Sequence, residues 1–285
     1  MLSYFQALVF GLVQGVTELF PISSLGHSVV LPKIFGWNIN QNDPFFLTFL
    51  VATHTATALV LFLFFFKDWI RIIKGIFRSL KEREIKESDA DAKLGWLLVV
   101  GTVPAGILGL LFDQLLKDLF AQPKFVALML ILNGLMLFGA EILRKRAKEQ
   151  TEKGSDSRIA KLSFIQSIQV GIMQCIALIP GFSRTGSTIT GSLLVGLSHE
   201  DAARFSFLLA TPVIGAAAVL KLPELASKQE TAVLGPIILG SLASGVAAYL
   251  SVKFLTKYFQ TKKLTPFAIY CTVIGVILSV VLLFR

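Results

Sequence analysis

The sequence predicts an all-α integral membrane protein, with six transmembrane helices and two re-entrant helix-loop-helix hairpins set out as an inverted-topology repeat. Three observations carry that expectation. Of 285 residues, 54% are hydrophobic and 16% charged, and the mean hydropathy is +0.72. That leaves too little polar surface to cover a soluble globule. Six apolar segments reach the roughly 20 residues of helix that a bilayer requires. Two further apolar regions, 2–30 and 162–197, are each broken mid-course, by Pro21 and Gly26 in the first and by Pro180, Gly181 and Gly186 in the second.

In chain order the spans fall near 45–66, 94–112, 123–143, 204–222, 234–252 and 266–284. The loops between them set their direction. Residues 67–93 hold eight Lys or Arg, 144–161 seven and 253–263 four, so nineteen of the 27 basic residues lie in these three segments. The positive-inside rule assigns them to the cytoplasm. Segments 31–44, 113–124 and 221–233, which carry only Lys33, Lys117, Lys124, Lys221 and Lys228, are assigned outside. This distribution also explains the net charge of +9 without nucleic acid. For the charges to stay consistent neither broken region crosses, so each is read as a hairpin, the first dipping from outside and the second from inside. Non-helical backbone at that depth needs protein or a wet cavity to supply its hydrogen bonds.

Residues offset by 160 match without a gap: Leu2/Leu162, Ser3/Ser163, Gln6/Gln166, Gly11/Gly171, Gln14/Gln174, Ser23/Ser183 and Gly26/Gly186. Asp43/Asp201, Ala52/Ala210 and Thr53/Thr211 follow at 158. A single membrane domain, 1–285, results. Repeat one is about 1–112 and repeat two about 162–255, joined by a linking helix, 123–143, and followed by a final helix, 266–284. The N-terminal run lacks a basic leader and holds Gln6, Gln14 and Glu18, so it is expected to belong to the mature protein. Cys175 and Cys271 lie in apolar segments without metal spacing and are expected to be free thiols.

Each break carries polar residues that lipid would not tolerate. The first, Gln14 to His27, reads QGVTELFPISSLGH, and the second, Pro180 to Thr188, reads PGFSRTGST. Intramembrane ionisable groups face a protected polar cavity by default, so Glu18, His27 and Arg184 are expected to share one site. Ser183, Arg184, Thr185 and Thr188, around Gly181 and Gly186, stand where a helix restarts. Backbone N–H groups, hydroxyls and a guanidinium there make an anion site, and the planar fork of Arg suits phosphate oxygens. The plainer role for Arg184 is a structural pair with a carboxylate. Glu18 is read as metal ligand, general base or counter-ion of Arg184, and Gln14, four residues earlier, shares its helix face. His27 is read as base, nucleophile or metal ligand. His54, among Thr53, Thr55 and Thr57, is an accessory candidate whose partners the sequence does not identify.

These motifs resemble the bacterial undecaprenyl-diphosphate phosphatases, also called bacitracin-resistance proteins, over essentially the whole chain. The family's first motif is matched by Gln14, Glu18, Pro21, Ser23, Ser24, Gly26 and His27, and its second by Pro180, Gly181, Ser183, Arg184 and Thr188. Two positions depart: Gln14 stands where many members carry Glu, and Thr185 replaces Ser while keeping the hydroxyl. The resemblance implies six spans with two pairs of re-entrant helices. It implies hydrolysis of a C55 isoprenyl diphosphate to the monophosphate at the outer face of a bacterial cell membrane, with a divalent cation, Mg²⁺ or Ca²⁺, on Glu18 and Gln14. Ser23, Ser183, Arg184, Thr185, Thr188, Gly181 and Gly186 are then the phosphate-binding set, and Glu18, Ser24, His27 and Arg184 the catalytic one. His27 is preferred to Ser24 as the attacking group, because a serine needs an adjacent base. The partners expected are the lipid and the membrane, with a homodimer left open. An isoprenoid-lipid transporter or flippase using the same midplane site is the alternative, since inverted repeats are a transporter feature. The other large class of membrane lipid phosphatases fits less well, lacking its upstream basic motif and second His.

Overall fold

The computed structural model describes residues 2–40, 43–120, 122–144, 155–226 and 234–284. Among these residues it is all-helical, with no strand. The first break separates α1 (Tyr4–Thr17) from α2 (Ser24–Phe35), and α3 (Pro44–Phe64), α4 (Phe66–Glu82), α5 (Ala90–Leu111), α6 (Asp113–Phe120) and α7 (Pro123–Arg144) follow. After α8 (Ser155–Ala160), the second break separates α9 (Phe164–Cys175) and a 3₁₀ turn (Ile176–Leu178) from α10 (Arg184–Leu194). The chain ends with α11 (His199–Ala226), α12 (Leu234–Tyr258) and α13 (Thr265–Leu283). Among the described residues, six helices are long and apolar enough to cross a membrane: α3, α5, α7, α11, α12 and α13. These are the six segments the apolar runs mark.

Local chemistry sets the helix starts. Ser3 with Gln6, and Ser163 with Gln166, form capping boxes that open α1 and α9. Ser23 and Ser183 then cap the helices that restart after each break, accepting from the N–H of Gly26 and Gly186. Polar residues inside the spans are tolerated because Thr48, Thr55, Thr57 and Thr102 donate to carbonyls one turn back.

The two broken helices pack alike. α1 lies along α12 and α9 along α5, while α3 and α11 contact each other between them. Both crossings rest on glycine. A Cβ at Gly11 would stand 2.2 Å from the Gly240 carbonyl oxygen, and one at Gly171 2.5 Å from that of Gly101. Small residues allow backbones to approach this closely. α7 runs along α13 and closes against both α2 and α10.

Segment 67–93 is largely helical rather than a plain loop. α4 buries Ile72, Gly75 and Ser79 against α5 and turns its basic residues outward. Its charges are tied down: Arg78 donates twice to Asp89, at 2.6 and 2.7 Å, and holds that carboxyl below the usual carboxylate range. The start of α11 joins this region to the other basic segments. Asp201 accepts from Arg158, and Arg204 donates to Asp156. His199 lies 2.7 Å from Glu141, whose carboxylate also accepts from the Leu264 N–H. The described parts of all three basic segments therefore meet at one end of the molecule. Residues 145–154 and 227–233, on which part of the loop-charge reading falls, lie outside the described residues.

Candidate active site

Glu18, at the end of α1, is where the two breaks meet. It is 7% exposed. Its Oε1 accepts from Arg184 Nη2 at 2.7 Å. Its Oε2 accepts from Gln14 Nε2 at 3.1 Å and from Ser24 Oγ at 2.6 Å, and His54 Nε2 stands 3.3 Å away. Each contact has a sequence cause. Gln14 is one helical turn earlier, Ser24 opens the helix after the break, and Arg184 opens the corresponding helix in the second half.

The backbone reinforces the junction. Thr185 Oγ1 donates to the Glu18 carbonyl at 2.9 Å, and Ser183 Oγ to the Phe20 carbonyl at 3.4 Å. Asn133 on α7 locks both breaks, its Nδ2 donating to the Pro21 carbonyl at 3.1 Å and its Oδ1 accepting from the Ser183 N–H at 3.0 Å. Ser23 takes a φ of 70°, and Gly181 one of 106°. Only glycine fits at 181, since a Cβ there would come 2.6 Å from both Met129 Cβ and the Val126 carbonyl oxygen.

Hydrogen bonding assigns the protons on both histidines. His54 Nδ1 lies 2.7 Å from the Leu50 carbonyl, which can only accept, so Nδ1 carries hydrogen. Nε2 then faces the Glu18 carboxylate at 3.3 Å. His27 Nδ1 lies 2.6 Å from the Ser23 carbonyl and is likewise protonated, leaving Nε2 to accept from the Tyr270 hydroxyl at 2.8 Å. The two rings stack, with centroids 5.8 Å apart. The lone pair that would attack phosphorus is thus already engaged.

A cavity of about 490 Å³ opens beside this cluster. Glu18, Ser23, Ser24, His54, Ser183 and Arg184 line it, together with an apolar wall that includes Leu50 and Val51 of α3, Ala105 of α5 and Ile214 of α11. His27, Gln14, Gly181, Thr185, Gly186 and Thr188 are not among its lining residues. The Thr188 hydroxyl turns back to the Arg184 and Thr185 carbonyls and to Ser206. Three participants had no mark in the motifs: Asn133, Tyr270 and Gln174. Both amide atoms of Gln174 are buried without a hydrogen-bond partner, as are Arg184 Nη1 and Gln14 Oε1; Gln174 and Arg184 are also among the cavity's lining residues. Gln174 had one available signal, its offset of 160 from Gln14.

Replacing Asn133 by Leu strips partners from the Ser183 N–H and the Pro21 carbonyl. The expected cost is about 2–4 kcal/mol, read as a fall of roughly 5–10 °C in the unfolding midpoint of the detergent-solubilised protein. An unchanged midpoint would mean that Asn133 does not hold the breaks together.

Fold and site together define a polytopic membrane protein whose buried Glu, Arg, His and Ser face a largely apolar cavity, the setting for polar chemistry on a lipid head group. The chain belongs to the bacitracin resistance protein BacA family, whose model matches residues 7–277. It is 46% identical to the undecaprenyl-diphosphatase of Mycolicibacterium paratuberculosis, over 96% of this chain and 95% of that protein. It is 42% identical to the undecaprenyl-diphosphatase of Acidiphilium cryptum over 97% of each chain, and 40% identical to undecaprenyl-diphosphatase 2 of Frankia alni over 98% of each.

Proposed function

We propose that the chain hydrolyses undecaprenyl diphosphate to undecaprenyl phosphate and inorganic phosphate, returning a lipid carrier for cell-wall polymers and conferring bacitracin resistance. The observation that carries this reading is the single Glu18 carboxylate, which holds the Ser24 hydroxyl and the Arg184 guanidinium at one wall of an otherwise apolar cavity.

Ser24 is the attacking group in this reading. The preference for His27 rested on a serine lacking a base, and Glu18 Oε2 at 2.6 Å is such a base. As Ser24 Oγ bonds to the terminal phosphorus, its proton passes to Glu18. The P–O bond to the inner phosphate breaks, and undecaprenyl phosphate leaves with the electron pair. Water then cleaves the phosphoserine, and the proton returns to Ser24. Arg184, with Nη1 unpartnered, neutralises the charge that spreads over the phosphoryl oxygens. Ser23 and Ser183 add hydroxyls on the wall, while Thr185, Thr188, Gly181 and Gly186 shape the breaks. His27, bridging Ser23 and Tyr270, positions the turn that presents Ser24.

A divalent cation fits as a companion of the substrate. Among the described residues no three His, Cys, Asp or Glu side chains form a metal cluster, but the orphaned Gln14 Oε1 lies on the residue bonded to Glu18. Glu18 and Gln14 are the residues that would hold Mg²⁺ or Ca²⁺. Such an ion supplies charge neutralisation at the diphosphate.

The breaks are re-entrant hairpins of an inverted repeat in a bacterial cell membrane. The matched capping boxes, the matched glycine crossings and the common end of the basic segments support this. The site then opens to the outer face.

The test is phosphate release from undecaprenyl diphosphate by purified protein, with Mg²⁺, Ca²⁺ or chelator. Wild type is expected to release phosphate with cation. Arg184→Lys is expected to lose at least about a hundredfold in kcat, since an ammonium cannot fork onto Glu18 and phosphate together. Lipid movement across vesicles without phosphate release would favour the transporter alternative.

A further inference from the structure

α4 carries more apolar surface than its packing covers. Its contact with α5 buries Ile72, Gly75 and Ser79. A second row, Phe66, Ile70, Ile73, Phe77 and Leu80, recurs every third or fourth residue and so forms a stripe of its own, and its side chains are 38 to 68% exposed. The row does not begin with α4. Leu59 and Leu63 on the preceding span are exposed as well, and the same spacing runs from them into Phe66. The backbone carries the register across the junction at Phe65, whose N–H donates to the Leu61 carbonyl and whose carbonyl accepts from the Trp69 N–H. The stripe is therefore the lipid-facing side of α3 continued past the end of the span.

A row of cations lies beside it, one residue on and so about 100° round the helix: Lys67, Arg71, Lys74, Arg78 and Lys81. The arginines are engaged within the protein. Arg71 donates to Asp68 and Asp156, and Arg78 to Asp89. The acids of the helix are taken too, Asp68 by Arg71 and Arg204 and Glu82 by Lys86. Lys67, Lys74 and Lys81 are exposed and, among the described residues, have no ion-pair or hydrogen-bond partner. An apolar row flanked by three free ammonium groups fits the headgroup boundary of a bilayer, where the row meets acyl chains and the lysines meet headgroup phosphates. A second copy packed through the same face would bring two lysine rows together, which opposes that occupant. We propose that α4 is an interfacial helix that binds anionic phospholipid through Lys67, Lys74 and Lys81, in the leaflet on the basic side of the molecule. This binding is independent of the phosphatase reading above.

The test attaches a fluorescent label to the full chain at Phe77→Cys, with Cys175→Ala removing the part-exposed thiol and Cys271 left buried. The protein is reconstituted in phosphatidylcholine vesicles that contain a minor share of phosphatidylglycerol. A nitroxide on the acyl chain of one lipid or the other reads, by quenching, which of them lies beside the label. Phosphatidylglycerol is expected to quench as if enriched roughly fivefold over phosphatidylcholine, the effect of about one lysine at a membrane surface. The enrichment should fall to about twofold or less in the Lys67→Gln, Lys74→Gln, Lys81→Gln triple variant, and likewise at high salt with the lysines intact. If Phe77→Cys does not accumulate as folded protein, Leu80→Cys carries the same readings. Equal quenching by the two lipids with the lysines intact would overturn the assignment, as would an enrichment that survives the triple variant. Quenching by neither lipid, with or without a second copy shielding the label, would overturn the membrane placement itself.

Discussion

Glu18→Gln is expected to lower kcat by about a thousandfold, the scale of losing a positioned general base. The substitution keeps the size of the side chain while removing the charge that four neighbours share. Ser24 loses the acceptor of its proton, at 2.6 Å, and Arg184 loses the oxygen that fixes one of its nitrogens, at 2.7 Å. Breaking a buried ion pair from one side also destabilises by about 3–5 kcal/mol, because the remaining charge stays uncompensated. The variant should therefore unfold at a lower midpoint as well as turn over slowly. Initial-rate phosphate release and thermal unfolding, measured on the same preparation, check both. Retention of more than a tenth of wild-type kcat in a folded Glu18→Gln protein would remove Glu18 from proton transfer.

Ser24→Ala is the second large effect, a loss of roughly a thousandfold or more in kcat with little change in the unfolding midpoint, because only one hydroxyl is deleted. His27→Ala should differ in kind. It releases the Ser23 carbonyl and the Tyr270 hydroxyl, so the turn loosens and turnover falls, yet any phosphate transferred still passes through Ser24. Phosphate release from the three proteins under identical conditions separates the roles. A fully active Ser24→Ala enzyme would end the case for serine attack.

The spans were legible because twenty apolar residues in a row are a one-dimensional signal that requires no partner to interpret. The breaks were legible for the converse reason: Glu18 and Arg184 in apolar surroundings demand a polar neighbour, and each is the other's. α4 was harder to read. Its buried residues are few, Ile72, Gly75 and Ser79, and dense Lys and Arg hid the helix inside what scans as a charged loop. The contacts that favour Ser24 over His27 in the proposed mechanism lay beyond the sequence, since motif spacing does not say that Ser24 donates to Glu18 or that Tyr270, 243 residues away, meets the His27 imidazole. Asn133 was opaque for a similar reason. A lone amide in a span says nothing until the structure shows what it bonds, as at Asn133.

The attack by Ser24 is tested most directly by trapping the covalent intermediate. Wild-type protein is quenched during turnover of substrate labelled in its terminal phosphate, and the labelled peptide is located by mass spectrometry. An acid-stable phosphoryl group on Ser24, absent from Ser24→Ala, is the expected result. An acid-labile phosphoryl group on His27 would contradict it.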